Sequence, residues 1–216
     1  MSSQLASAPA ALPSLVLSAL RSVWADLVRS ILASAVGALS LLPLMAAVVA
    51  AGPAWLVALA ALPPCLVLTG IARFAAASIA GERPRASDAL RGIDPVLGVT
   101  LTGSAVVAGL LIGEGSALAV AGCVLVAVLA MIAPLALAYG AIRGRSGFAA
   151  WRGALILCAY RPSWALTVLA IACLVGFATA ATAGVLVLLA PVVILAVACT
   201  IVEALLYDID AASAAR

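Results

Sequence analysis

Six apolar stretches follow one another along this chain, separated by minimal turns or by arginine-bearing loops. A helix needs roughly 20 apolar residues to cross a hydrocarbon core about 30 Å thick. The first stretch covers residues 30–51 and stops at Gly52-Pro53, a dipeptide that ends one helix and starts the next. The second covers 54–80, the third 96–113 and the fourth 116–142, with only Glu114-Gly115 turning the third into the fourth. The last apolar run, 164–206, has 43 residues and is twice as long as a single crossing needs. Its TAATAG patch (179–184) is the natural break, which gives a fifth span over 164–178 and a sixth over 185–206.

Composition removes the alternatives. Of 216 residues, 67% are hydrophobic and 9% charged, where a soluble domain carries about 25% charged residues. A water-soluble globule could not be covered from this supply of polar side chains, and a disordered chain would be richer in charge and poorer in aliphatic residues. The sequence therefore predicts an all-α fold: a polytopic membrane helical bundle of six transmembrane helices in three hairpins. Residues 1–13 read as a flexible lead that lacks the basic n-region of a secretory signal. In residues 14–29, polar Ser14, Ser18, Arg21, Ser22, Asp26 and Arg29 recur at three- and four-residue steps, with Ser14 as a candidate N-cap. That periodicity predicts an N-terminal interfacial amphipathic helix with Trp24 at headgroup depth. Residues 30–206 form the six-span domain and 207–216 a cytoplasmic tail.

Arginine placement predicts the orientation, because cytoplasmic loops carry the excess of basic residues. With both termini inside, Arg21, Arg29, Arg83, Arg85, Arg91, Arg143, Arg145, Arg152, Arg161 and Arg216 share one side, and Arg73 sits about two turns from it. Glu114 is the sole charge on the other side. The expected location is the bacterial cytoplasmic (inner) membrane, with multiple passes and the lipid bilayer as the first partner.

Function classes fall away for the same reason. There is no histidine, and no two acidic residues share a mid-membrane face, so a His base, a metalloprotease centre or a carboxylate dyad has no residues to work with. Cys65, Cys123, Cys158, Cys173 and Cys199 form no CxxC pair and read as small hydrophobes. A net charge of +3 is too small and too dispersed for nucleic-acid binding. We expect no enzyme activity, no catalytic residue, no cofactor and no metal.

Three groups of residues remain as candidates. Arg73 and Glu203, on the second and sixth spans near the arginine side, are a candidate interhelix charge pair, although the favoured reading has each reach the interface separately. Pro43, Pro63, Pro64, Pro134 and Pro191 lie within spans as candidate kink sites, and broken helices line binding sites in many transporters. Arg83, Arg85, Arg91, Arg145 and Arg152 sit in the two long polar loops, 81–95 and 143–163, as candidate partner-facing residues. Within the second loop, GFAAWRGALILCAY reads as a short amphipathic or half-buried helix. The two loops share an Arg-Gly element 61 residues apart, which fits either a duplicated hairpin or the common need for a basic connector. Small residues at four-residue steps, among them Gly109/Gly113, Ala172/Gly176 and Ala196/Thr200/Ala204, predict close helix packing.

The segments RFAAASIAGERPRASDALRG (73–92) and APLALAYGAIRGRSGFAAWRGALILCAYRPSWALTVL (133–169) resemble the YesL-like family of bacterial integral membrane proteins of unknown function. The likeness extends over roughly residues 14–206 through degenerate, apolar motifs. Aromatic and Asn positions common in the family's first loop are Ala and Leu here. A six-span family associated with glycerophosphodiesterases has a comparable layout. The resemblance implies an accessory role beside carbohydrate ABC importers, with ABC transporter subunits or a second copy as partner, and defines no catalytic residue. FAAWRG lacks the Glu that precedes the paired alanines of importer permeases, which argues against a permease role. The two hypotheses are thus an accessory or scaffold component linked to carbohydrate ABC import, and a small-solute or lipid transporter with its site at proline-broken helices.

Overall fold

The computed structural model describes residues 12–82, 84–85, 87–115, 117–182 and 185–214, and among these every regular element is helical. Helix α1 (Leu12–Ala25) begins ahead of Ser14, with Pro13 in its first turn, where a missing N–H costs nothing. Its buried residues Ala19 and Val23 are one turn apart, and the helix packs on the last helix of the chain, while Trp24 is 74% exposed. The chain bends at Asp26, whose carboxylate pairs with Arg29 at 3.4 Å.

The first span is Leu27–Val49, built from α2 (Leu27–Ser40) and α3 (Leu42–Val49) with a break at Leu41. On α2, Ser30, Ala33, Ser34 and Gly37 make a narrow face at helical spacing that lets the second span approach closely, Ile71 lying over Gly37. The second span, α4 (Ala54–Ile79), runs without interruption through Pro63 and Pro64. The short α5 (Asp88–Arg91) lies within the first long loop. Then come α6 (Pro95–Gly113) and α7 (Ala117–Arg143), followed by α8 (Phe148–Tyr160) in the second long loop.

The fifth span, α9 (Pro162–Ala181), has 20 residues, five more than residues 164–178 would give. A 3₁₀ turn (Val185–Leu188) then leads into α10 (Ala190–Ala214). The break therefore begins at Thr182, within the TAATAG patch, and the segment 207–214 continues α10 as helix. It stays helical because Ile209 packs on the core while Asp208 and Asp210 pair with arginines of neighbouring elements.

Among the described residues, six helices are long and apolar enough to cross a membrane. Successive spans form three antiparallel hairpins, and α4, α7 and α10 meet at the centre, with α10 touching α1, α2, α4, α7 and α9. Half of the most apolar window of the sixth span is buried, against 17% for the first span. The core of the central helices is mostly aliphatic (Val67, Ile71, Leu135, Ala138, Leu195, Ala198 and Val202), with Phe74 and Cys199 buried in the same cluster.

Candidate functional site at the arginine end

Polar chemistry collects where the two long loops and the end of α10 come together. Its centre is Asp94, a residue that precedes Pro95 and caps α6: Leu97 N–H donates to its Oδ1 at 3.0 Å. Proline at the first helical position and aspartate before it are the expected grammar of a helix start. The second oxygen does something the local sequence does not specify. Gly147 N–H, from the loop before α8, donates to Asp94 Oδ2 at 3.2 Å. The Asp94 N–H in turn donates to Thr69 Oγ1 of α4 at 2.9 Å, and the Thr69 hydroxyl donates to the Leu66 carbonyl at 2.7 Å. Asp94 is only 6% exposed and has no ion-pair partner within 4.0 Å among the described residues. Backbone donors and the positive end of α6 hold this buried carboxylate, so one residue fastens α4, α6 and the second loop.

Glycines bring these pieces within reach of one another. At Gly70 the Ala89 carbonyl occupies the place a Cβ would take, which seats α5 directly on α4. A Cβ on Gly98 would lie 2.6 Å from Leu66 Cδ2. Gly153 meets the ring of Tyr139, so α8 rests on the end of α7. Gly147 has φ +56° and ψ −129°, a conformation for which only glycine is suited, with Val96 Cγ1 2.6 Å from its would-be Cβ. Trp151 Nε1–H completes the attachment of α8 by donating to Thr100 Oγ1 of α6 at 2.9 Å. The two Arg-Gly elements thus share a role: Gly92 packs on Arg73 of the preceding span and Gly153 on Tyr139 of its own.

Ion pairs cross-link the rim. Arg143 reaches Asp210 at 2.7 Å and Arg161 reaches Asp208 at 3.3 Å, while the Arg161 guanidinium also stands 5.2 Å from the Trp164 ring centre. Burial pushes the Cys158 thiol on α8 up, away from thiolate chemistry.

The candidate residues distribute unevenly over this end. Arg85, Arg91, Arg145 and Arg152 are exposed, and their guanidinium groups make no ion pair among the described residues. Arg83 lies outside the described residues, as do Arg216 and the lead 1–11. Arg73 and Glu203 are both exposed and do not pair with each other within 4.0 Å. The reason is directional: the stem of Arg73 lies over Gly92, toward α5, and the acids of α10 that engage arginines are Asp208 and Asp210, beyond Glu203.

Among the prolines, Pro43 and Pro191 stand in the first turns of α3 and α10, just after breaks, while Pro63, Pro64 and Pro134 sit inside continuous helices. A cavity of about 450 Å³ between α3 and α4 is lined by Pro43, Ala47, Leu56, Leu59, Ala60 and Pro63, without a polar side chain. Neither Pro134 nor Pro191 borders it. It offers nothing to orient a polar solute. A second cavity, about 360 Å³, lies at the arginine end among Arg73, Phe74, Glu82, Asp88 and Gly92.

Asp94, Asp208 and Asp210 are the functional-end residues that sequence reasoning passed over. Asp94-Pro95 before an apolar run is a readable cap signal, and acids on the arginine-bearing side of a bundle are candidates for pairing with it. No family model matches the chain, and neither the curated proteins nor the solved structures give a match.

Proposed function

We propose that this multi-pass membrane protein is a non-enzymatic accessory or scaffold component, whose arginine end receives a protein partner of a membrane complex. The observation that carries the reading is the contrast between Arg85, Arg91, Arg145 and Arg152, exposed and without an ion pair among the described residues, and the base beneath them that Asp94 ties together. A rim of unpaired arginines over a rigid base suits an acidic partner surface, since positioning lowers the ordering cost of binding. The aliphatic packing between α4, α7 and α10 favours this over a transport path at the kinked helices.

The orientation belongs to the same proposal: the arginine end faces the cytoplasm of a bacterial inner membrane, in line with the bias of basic residues. The likeness of 73–92 and 133–169 to YesL-like proteins supports carbohydrate ABC importer subunits as the partner. Affinity purification of the full chain from native membranes tests this. Importer subunits are expected with the wild type and should fall by about tenfold when Arg85, Arg91, Arg145 and Arg152 are all replaced by Gln. A chain recovered alone, with sugar uptake unchanged by its deletion, contradicts the reading. Thiol labelling of Glu114→Cys from the outside only is the expected result for orientation; labelling from the cytoplasmic side only reverses it.

A further inference from the structure

The cavity at the foot of α4 differs from the apolar one because three of its lining side chains are charged. Arg73, Phe74 and Ala77 form the α4 wall, Asp88 and Gly92 the α5 wall, and Glu82 comes from the connecting loop. The walls are fixed by close contact, the Ala89 carbonyl seating on Gly70 and the Arg73 Cδ lying 2.9 Å from the place of a Cβ on Gly92. The stem of Arg73 thus lies over Gly92, and Arg73 lines the cavity beside Glu82 and Asp88. Yet the Arg73 guanidinium lies within 4.0 Å of neither carboxylate and makes no hydrogen bond among the described residues. One oxygen of Asp88 accepts the Arg85 N–H at 2.8 Å, leaving the other free, and Glu82 has no side-chain partner among the described residues. A cation and two anions that share a cavity without pairing are complementary to a ligand that carries both signs of charge at separate ends.

The geometry points to a binding site for a phosphate–ammonium zwitterion of the phosphoethanolamine class, with the phosphate on Arg73 and the primary ammonium between Glu82 and Asp88. The planar guanidinium fork matches phosphate oxygens, and an ammonium with three N–H donors needs the acceptors that two carboxylates supply. A quaternary ammonium donates nothing and is held by aromatic cages, whereas the one aromatic side chain lining this cavity, Phe74, is buried. At about 360 Å³ the space lies at the small end of the ligand-pocket range of about 300–1,000 Å³. It also sits at the end of a 26-residue apolar helix, at the level where phospholipid headgroups lie. The zwitterion has two sources, a membrane phospholipid or a soluble phosphoethanolamine ester.

Native mass spectrometry of the full chain, released from phosphatidylcholine nanodiscs doped with phosphatidylethanolamine or phosphatidylglycerol, separates the outcomes. The wild type is expected to retain phosphatidylethanolamine about tenfold over the other two lipids. Arg73→Gln, and separately Glu82→Gln with Asp88→Asn, should each reduce that preference to within about twofold. Gly92→Ala, which displaces the Arg73 stem without altering a charge, should weaken it as well. Each variant is compared at an unchanged melting temperature. If soluble O-phosphoethanolamine displaces the lipid, the headgroup is sufficient from either source; if it does not while the preference persists, the ligand is the phospholipid. Equal retention of the three lipids, a preference for phosphatidylglycerol, or a phosphatidylethanolamine preference that survives both charge variants overturns the proposal.

Discussion

The glycines that tie the polar loops to the bundle and those on the open faces of α6 and α9 use the same missing side chain to opposite effect. At the arginine end the missing side chains of Gly70, Gly92, Gly98, Gly147 and Gly153 are all filled by neighbours, so each glycine is a point of contact. Gly103, Gly109 and Gly113 on α6 and Gly176 on α9 instead face open space, although Gly122 of α7, toward the same end, is filled by Ile112 and the Ala108 carbonyl. Even the left-handed positions differ. Helix α4 ends on Gly81 with φ +79°, whereas α3 ends on Ala51 with φ +48°, a conformation that costs a side-chain-bearing residue about 1–2 kcal/mol. Close approach thus holds the polar loops at one end and, at Gly122, the α6–α7 hairpin at the other. The rest of the bundle is joined by aliphatic packing, with large apolar side chains such as Val120, Leu174 and Phe177 turned outward.

Alanine at Gly70 would have to displace the Ala89 carbonyl and with it α5, and should destabilise the full chain in detergent by about 3 kcal/mol or more. The same change at Gly109, in open space, should leave stability within about 1 kcal/mol and on the stabilising side, as helix propensity directs. Equal losses at the two positions would erase the contrast. Asp94→Ala leaves the Leu97 and Gly147 N–H groups without their acceptor in a buried setting, and should cost about 2–3 kcal/mol in denaturant or thermal unfolding. Ala51→Gly should stabilise by about 1 kcal/mol and Gly81→Ala destabilise by a similar amount, a sign reversal readable from paired melting temperatures. Smallest of all, Asp210→Asn removes an ion pair whose side chains are 41% and 63% exposed, and should change stability by no more than about 1 kcal/mol, less at high salt.

Much of this architecture was legible because span length and hydropathy are local properties. The turns at Gly52-Pro53 and Glu114-Gly115 and the division of the last apolar run all follow from them. The small-residue steps were less informative: Ala196, Thr200 and Ala204 on α10 do pack inward, but Gly109/Gly113 and Gly176 have the same spacing and present open space where a Cβ would stand. Spacing defines a face without saying what lies opposite it. The site was harder still. The exposed arginines could be read from composition, but the bond from Gly147 to Asp94 joins residues 53 positions apart and depends on how two hairpins dock. Arg73 and Glu203 reach outward separately, the favoured of the two readings open for them, since nearness to one side of the membrane does not fix the direction in which a long side chain leaves its helix.

Hydrogen–deuterium exchange of the full chain in lipid nanodiscs, compared between wild type and Asp94→Asn, tests most directly whether the arginine end is one tied unit. Faster exchange is expected together in peptides covering 88–98 and 145–153, with the turn at 113–117 unchanged. A rise confined to 88–98, with 145–153 as protected as in the wild type, would show that Asp94 caps its own helix and nothing more.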